Sequence, residues 1–167
     1  FAEEKKMRTF DLLLTSPVSS LQIVLGKYFA AIGAIAGLVI LAVSYPVATA
    51  TLAKVNWLPL IVAFFGIFLV ACVYVAMDLF ASSLTENSIT SYVASVILNV
   101  SIWFVGIGSE VMDGEVSRKV FEHISLSTHL SSLVEGTIRT NGLIFFFSLI
   151  VLFCFLAERV VESSRWR

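Results

Sequence analysis

"LPLIVAFFGIFLVACVYVAMDLFASS" occupies residues 58–83 and carries a single charged residue, Asp78. A helix must place about 20 predominantly apolar residues in hydrocarbon, because a rise of ~1.5 Å per residue has to cover ~30 Å. This run meets that requirement, and working outward from it finds three more: residues 21–53, 89–108, and the charge-free "LIFFFSLIVLFCFLA" at 143–157, whose helix extends to about 140–160. Lipid offers backbone groups no hydrogen-bonding partner, so such runs are helices, and the alternating pattern of a barrel strand is absent. The expected fold is an all-α membrane protein with four visible crossings.

Composition agrees. The chain is 58% hydrophobic and 14% charged, with a mean hydropathy of +0.94, where soluble domains have roughly 45–50% apolar and about 25% charged residues. A net charge of -1 gives no basic field for nucleic acid. Cys72 and Cys154 each lie inside an apolar run and read as small packing hydrophobes, not as a disulfide or zinc pair. The chain opens "FAEEKKMR" with neither an initiating Met nor a signal-peptide pattern, so it reads as a piece whose beginning lies upstream.

Four crossings put both visible ends on one side. That side carries Lys5, Lys6, Arg8, Lys27, Arg159, Arg165 and Arg167; the other has Lys54, Arg118, Lys119 and Arg139. The excess of positive charge makes the ends cytosolic. Trp57, Trp103 and Trp166 fall where aromatic rings anchor helices at membrane interfaces. Ser19 and Gln22 form a capping-box pattern ahead of the first crossing, Lys27 is placed to snorkel, and Pro46 is expected to bend the far end. "GAIAG" sets Gly33 and Gly37 one turn apart, a spacing that fits packing within the chain or a symmetric dimer contact. The outer loop, residues 109–139, holds Val120, Phe121 and Ile124, then Leu130, Leu133, Val134 and Ile138 at helical spacing, too short to span and read as amphipathic helices on or dipping into the outer leaflet.

Little of this resembles a catalytic centre. Glu110, Asp113, Glu115, His123 and His129 match neither a calcium loop nor a zinc motif and read as solvated loop groups. The histidines have no nucleophile at recognisable spacing, "LGKY" lacks the rest of a phosphate-binding loop, and the Asn99-Val100-Ser101 sequon sits inside a crossing. Two features remain. Asp78 interrupts a crossing near its cytosolic end, where it is a candidate functional group or simply reaches headgroups and water. Ser88, Ser91, Ser95 and Asn99 align on one face of the third crossing and fit a hydrated path or hydrogen-bonded helix packing.

Ahead of the first crossing, "TFDLLLTSPVSS" at 9–20 is a short apolar run between a charged cluster and a proline stop. An apolar helix with no partner in its own chain invites docking into a groove, or lies on lipid. Taken with "EEKKMRTFDLLLTSPVSSLQIVLGKY" at 3–28, "LFASSLTEN" at 79–87 and "ERVVESSRWR" at 158–167, it resembles the ABC-2 type membrane subunits of ATP-driven exporters, especially the branch associated with gliding motility and nitrous-oxide-reductase maturation.

That resemblance implies a cytosolic coupling helix over residues 1–20 and a permease domain over 21–167, the last four of six crossings. It implies ATPase-coupling roles for Thr9, Phe10, Asp11, Leu12, Leu13, Leu14, Thr15, Ser16 and Pro17, with a second contact at Thr85, Glu86 and Asn87. Charges at Glu3, Glu4, Lys5, Lys6 and Arg8 would orient the contact. The implied partners are a separate ABC ATPase, which carries ATP and Mg, and a second permease subunit, identical or not. The expected location is a bacterial inner membrane, and the chain itself is not an enzyme and holds no cofactor. It departs from the family pattern at Arg8, where glycine is usual, at Asp78, where a small residue is usual, and at Leu126 and Ser127, where proline is expected. A membrane anchor that recruits a cytosolic protein without transport is the alternative.

Overall fold

The structure, a computed structural model, describes residues 1–10, 17–111 and 124–164. Within them the regular elements are all helical: α1 (Ala2–Lys6), α2 (Ser20–Ala50), α3 (Trp57–Leu84), α4 (Ser88–Val111), α5 (Leu126–Val134) and α6 (Thr140–Ser164). Four of these, α2, α3, α4 and α6, are long and apolar enough to cross a membrane. The second crossing matches its expected bounds to within a residue. The first stops at Ala50, where Thr51 caps it, and does not reach residue 53.

The local signals act as the sequence suggests. Ser19 Oγ accepts from the Gln22 amide at 3.2 Å while Gln22 Oε1 accepts from the Ser19 amide at 2.9 Å, a reciprocal capping box that opens α2. Pro46 lies inside α2, which continues through it. Asn87 Oδ1 accepts from the Ile89 amide at 2.9 Å and caps the start of α4.

α3 is the central helix and packs against α6, α4, α5 and α2. Its buried residues run along its whole length, from Val62 to Ser83. The main core joins Val62, Leu69, Val70, Val73 and Met77 of α3 to Leu126 and Leu133 of α5 and Phe146 of α6. A second cluster, at the end shared by both termini of the described chain, gathers Phe1, Phe10, Ile23, Val24, Ala157 and Val161. Between them Tyr28, Ala76 and Cys154 pack together, and Tyr28 Oη donates to the Cys72 carbonyl at 3.2 Å. Both cysteines are buried and free.

α2 meets this core only near its start. Its buried residues are Ser20, Ile23, Val24 and Tyr28, while Leu38, Ile40, Leu41 and Tyr45 are exposed. A Cβ built on Gly33 or Gly37 would meet nothing within 4 Å, so no described residue packs on the glycine pair.

The loop helix differs from its expected stripe. α5 buries Leu126 and Leu133, with Leu130 partly buried against the core. Val134 is exposed, and Ile138 lies beyond the helix and is exposed too. The helix therefore seats inside the end of the bundle opposite α1 on a 126, 130, 133 stripe and does not simply rest on a leaflet. Ser125 takes the cap role: its buried Oγ accepts from the Thr128 amide at 3.2 Å and the Thr128 hydroxyl at 3.0 Å. Gly136, at φ 81, closes α5, with the Thr137 amide bonded to the Ser132 carbonyl at 2.9 Å and the Gly136 amide to the Leu133 carbonyl at 3.0 Å. That double bond pattern is a Schellman cap. The segment around Val120 and Phe121 lies outside the described residues, as do Asp113, Glu115 and His123.

The closest approach is at Gly66, where an added Cβ would lie 2.8 Å from Leu133 Cβ. A backbone-proximal atom cannot swing aside, so Gly66→Ala should push α5 off α3 and cost about 1–3 kcal/mol. Thermal unfolding of purified protein in detergent checks this, and unchanged stability would contradict the seating of α5.

Candidate functional site

Two constellations lie at the end of the bundle that carries α1. The first is the fastening of α1 itself. The Phe1 and Ala2 nitrogens both donate to Ser82 Oγ at 3.1 Å, and Lys5 Nζ donates to the Ser83 carbonyl at 2.6 Å. Lys27 of α2 pairs with Glu4 at 2.5 Å and stands 5.0 Å over the Phe1 ring. Lys5 stands 5.3 Å over the Phe10 ring, and the Phe1 and Phe10 rings meet edge to face at 6.0 Å. Cations over aromatic faces and edge-to-face rings each add a modest attraction to the buried area. Burial pushes the Lys5 ammonium below the ordinary lysine range, with the Glu86 carboxylate opposing that shift. Ser20 Oγ donates to Glu162, which ties the start of α2 to the end of α6.

α1 is only a turn and a half, and its end is fixed by geometry. The Thr9 amide bonds the Glu4 carbonyl at 3.0 Å and the Arg8 amide bonds the Lys5 carbonyl at 3.2 Å. This is the Schellman pattern again, but the left-handed position, φ 56, is held by Arg8. The departure at Arg8 thus falls on the one residue here whose backbone favours glycine.

Of the residues assigned to coupling, Thr9 and Pro17 are exposed and Phe10 is buried, at 5% exposure, within its own chain. Phe10 is an anchor, not an open contact. Asp11, Leu12, Leu13, Leu14, Thr15 and Ser16 lie outside the described residues, so the helix expected over 1–20 is described as α1 up to Lys6, with the Arg8 turn after it. The charged cluster is divided: Glu4 and Lys5 are engaged inside the chain, while Glu3, Lys6 and Arg8 are exposed. Lys27 pairs with Glu4 instead of only snorkelling. Thr85 is half-buried with an unpartnered Oγ1, and Glu86 and Asn87 are exposed in the turn between α3 and α4. Asn87 spends its side-chain oxygen on the helix cap.

The second constellation is a polar cleft of about 580 Å³ between α1, the end of α3 and the start of α4. It brings together all four residues singled out for a pathway or for packing: Asp78, Ser91, Ser95 and Asn99. Asn99 Nδ2 donates to Asp78 Oδ1 at 2.9 Å, and Ser95 lines the same cleft. Packing and lining coincide here, since the Asp78–Asn99 bond joins α3 to α4 while the same groups face the cleft. Asn99 Oδ1 is buried without a partner among the described residues. Ser82, Tyr92 and the α1 residues Phe1, Ala2 and Glu3 complete the walls. Tyr92 lies one turn from Ser88 on the serine stripe, a legible signal, whereas nothing in the spacing of α1 announces its place at the cleft.

Among the described residues no group of His, Cys, Asp and Glu could hold a metal ion. His129 stacks on Phe145, with ring centroids 4.6 Å apart, and is part of the α5–α6 packing.

Arg8→Gly is expected to unfold no earlier than wild type, whereas Arg8→Val, β-branched in a left-handed position, should lose about 1–2 kcal/mol. Thermal unfolding of both variants decides this; equal stability of the two would refute the left-handed turn.

The family model described as ABC-2 family transporter protein matches residues 1–126. No curated protein and no solved structure matches the chain. The match takes in α1, the first three membrane-length helices and both constellations. With four helices of spanning length, this chain belongs to the ABC-2 family of transporter proteins, as a multi-pass membrane permease component of an ABC transporter.

Proposed function

We propose that the chain is the permease subunit of an ABC-2 exporter of the gliding-motility and nitrous-oxide-reductase-maturation branch. A separate ABC ATPase, carrying ATP and Mg, drives it, and a second permease subunit completes the assembly. The setting is a bacterial inner membrane, with both ends of this chain in the cytosol. Residues 1–20 form the coupling segment and residues 21–167 the permease domain.

One observation carries the reading. Of the two blocks expected to meet the ATPase, the described Thr9 and Phe10 and the 85–87 turn adjoin one fastened end of the bundle, where Lys5 bonds the last turn of α3 and faces Glu86. Residues 11–16 run between two anchored points, buried Phe10 on one side and the Ser19–Ser20 start of α2 on the other. A partner that grips Leu12, Leu13 and Leu14 would therefore pull on α1, and through it α3, and also on the start of α2. Closing of an ATPase dimer around nucleotide would tilt these helices together, provided that the ATPase binds the two permease states unequally.

Leu13→Asp places a charge in the apolar anchor of that grip. Co-purification with the ATPase should fall at least about tenfold, an affinity loss of about 1.4 kcal/mol or more, with membrane insertion intact. Undiminished co-purification and ATPase stimulation would overturn the coupling assignment, and a complex isolated with no ATPase at all would favour a non-transporting anchor.

A further inference from the structure

The cleft between α1, α3 and α4 has a chemistry that coupling does not require. Among the described residues its acidic groups are Asp78, half-buried on α3, and Glu3, exposed on α1, and no Lys or Arg is among its described lining residues. Lys5 and Lys27 are turned to the Ser83 carbonyl, Glu4 and the two phenylalanine rings. Asp78 receives the neutral amide of Asn99. An ionised carboxylate inside a span is costly until a cation answers it. Beside it, the Asn99 carbonyl oxygen is buried and unpartnered, and such an acceptor costs about 1–3 kcal/mol until a donor reaches it.

The remaining walls select the shape of that donor. Tyr92 and Val96 offer apolar and aromatic surface next to the serines, and an aromatic face attracts a cation as well as a hydrocarbon stem. A volume of about 580 Å³ is far larger than a bare ion needs and falls in the range of small-molecule sites.

We propose that this cleft is a binding site for a primary ammonium group on a short apolar stem. The ammonium sits against Asp78, donates to the Asn99 carbonyl oxygen and the serine hydroxyls, and lays its stem on Tyr92 and Val96. Glu3 draws the cation to the mouth. Two sources share this chemistry, a free amine and the headgroup of an aminophospholipid, because Tyr92 and Val96 are also exposed along the outer face of α4. The site deepens the permease reading by giving its cleft a ligand class, yet binding needs no ATPase and is measured without one.

The test uses the full chain, purified into nanodiscs of phosphatidylglycerol, with n-hexylammonium titrated by calorimetry and n-hexanol as the neutral isostere. Hexylammonium should bind, and hexanol at least tenfold more weakly. Asp78→Asn, which keeps a partner for Asn99, should weaken hexylammonium tenfold or more, and Glu3→Gln, an exposed change that spares the fold, by two- to threefold. Adding phosphatidylethanolamine to the nanodiscs should weaken hexylammonium if the headgroup is the natural occupant and leave it unchanged if a free amine is. Equal binding of hexanol and hexylammonium, or full affinity in a folded Asp78→Asn, overturns the proposal. If binding holds while Leu13→Asp leaves ATPase association intact, the coupling reading fails and the ammonium site stands.

Discussion

Burial of α3 on several sides is the constraint from which the rest of the bundle follows. Helices in lipid gain nothing from hiding apolar surface that lipid would cover equally well, so association rests on close packing and on polar groups that find each other. α3 supplies both. Gly66 admits the Leu133 side chain of α5, small residues such as Ala76 and Ala81 are fully enclosed, and its last turns offer Ser82 and the Ser83 carbonyl to α1. Further up, Asp78 is held by Asn99 of α4. Each neighbour of α3 is thus fixed by a different kind of contact.

The α1 end shows how a very short helix can be held in place. Five residues cannot sustain a helix by their own hydrogen bonds, because nucleation is costly. α1 persists because the Phe1 and Ala2 nitrogens, Lys5 and Glu4 have partners on other helices and the flanking Phe10 is buried. Lys5 and Lys27 do two jobs each, pairing with an oxygen and covering an aromatic ring. The same arrangement makes α1 a wall of the polar cleft, so force applied to the segment after Phe10 and the shape of that cleft are mechanically linked.

The crossings were legible because the bilayer imposes a length on them, and the capping box because its chemistry is local. The serine stripe with Asn99 was legible as a face, and Asp78 as an anomaly, but not that the two meet: a helical face gives no distance to a neighbour until the crossing geometry is known. The α5 stripe was misread by one turn. Val134 and Ile138 continue the apolar spacing, yet Gly136 ends the helix and Leu126 takes their place in the core. The fate of Phe10, read as part of an open handle and found packed inside, depended on contacts with residues far along the chain, which periodicity does not carry.

α2 is a rod held near one end. Its contacts with the core end at about Ile32, which leaves roughly 27 Å of helix to Ala50 at the usual rise per residue. A pivot there makes the helix an amplifier of small rotations: a tilt of about 10° at the anchored turns sweeps the far tip through about 5 Å, by the geometry of a straight helix. The tether of Tyr28 to the Cys72 carbonyl sits one turn before that fulcrum, where it would resist sliding more than tilting.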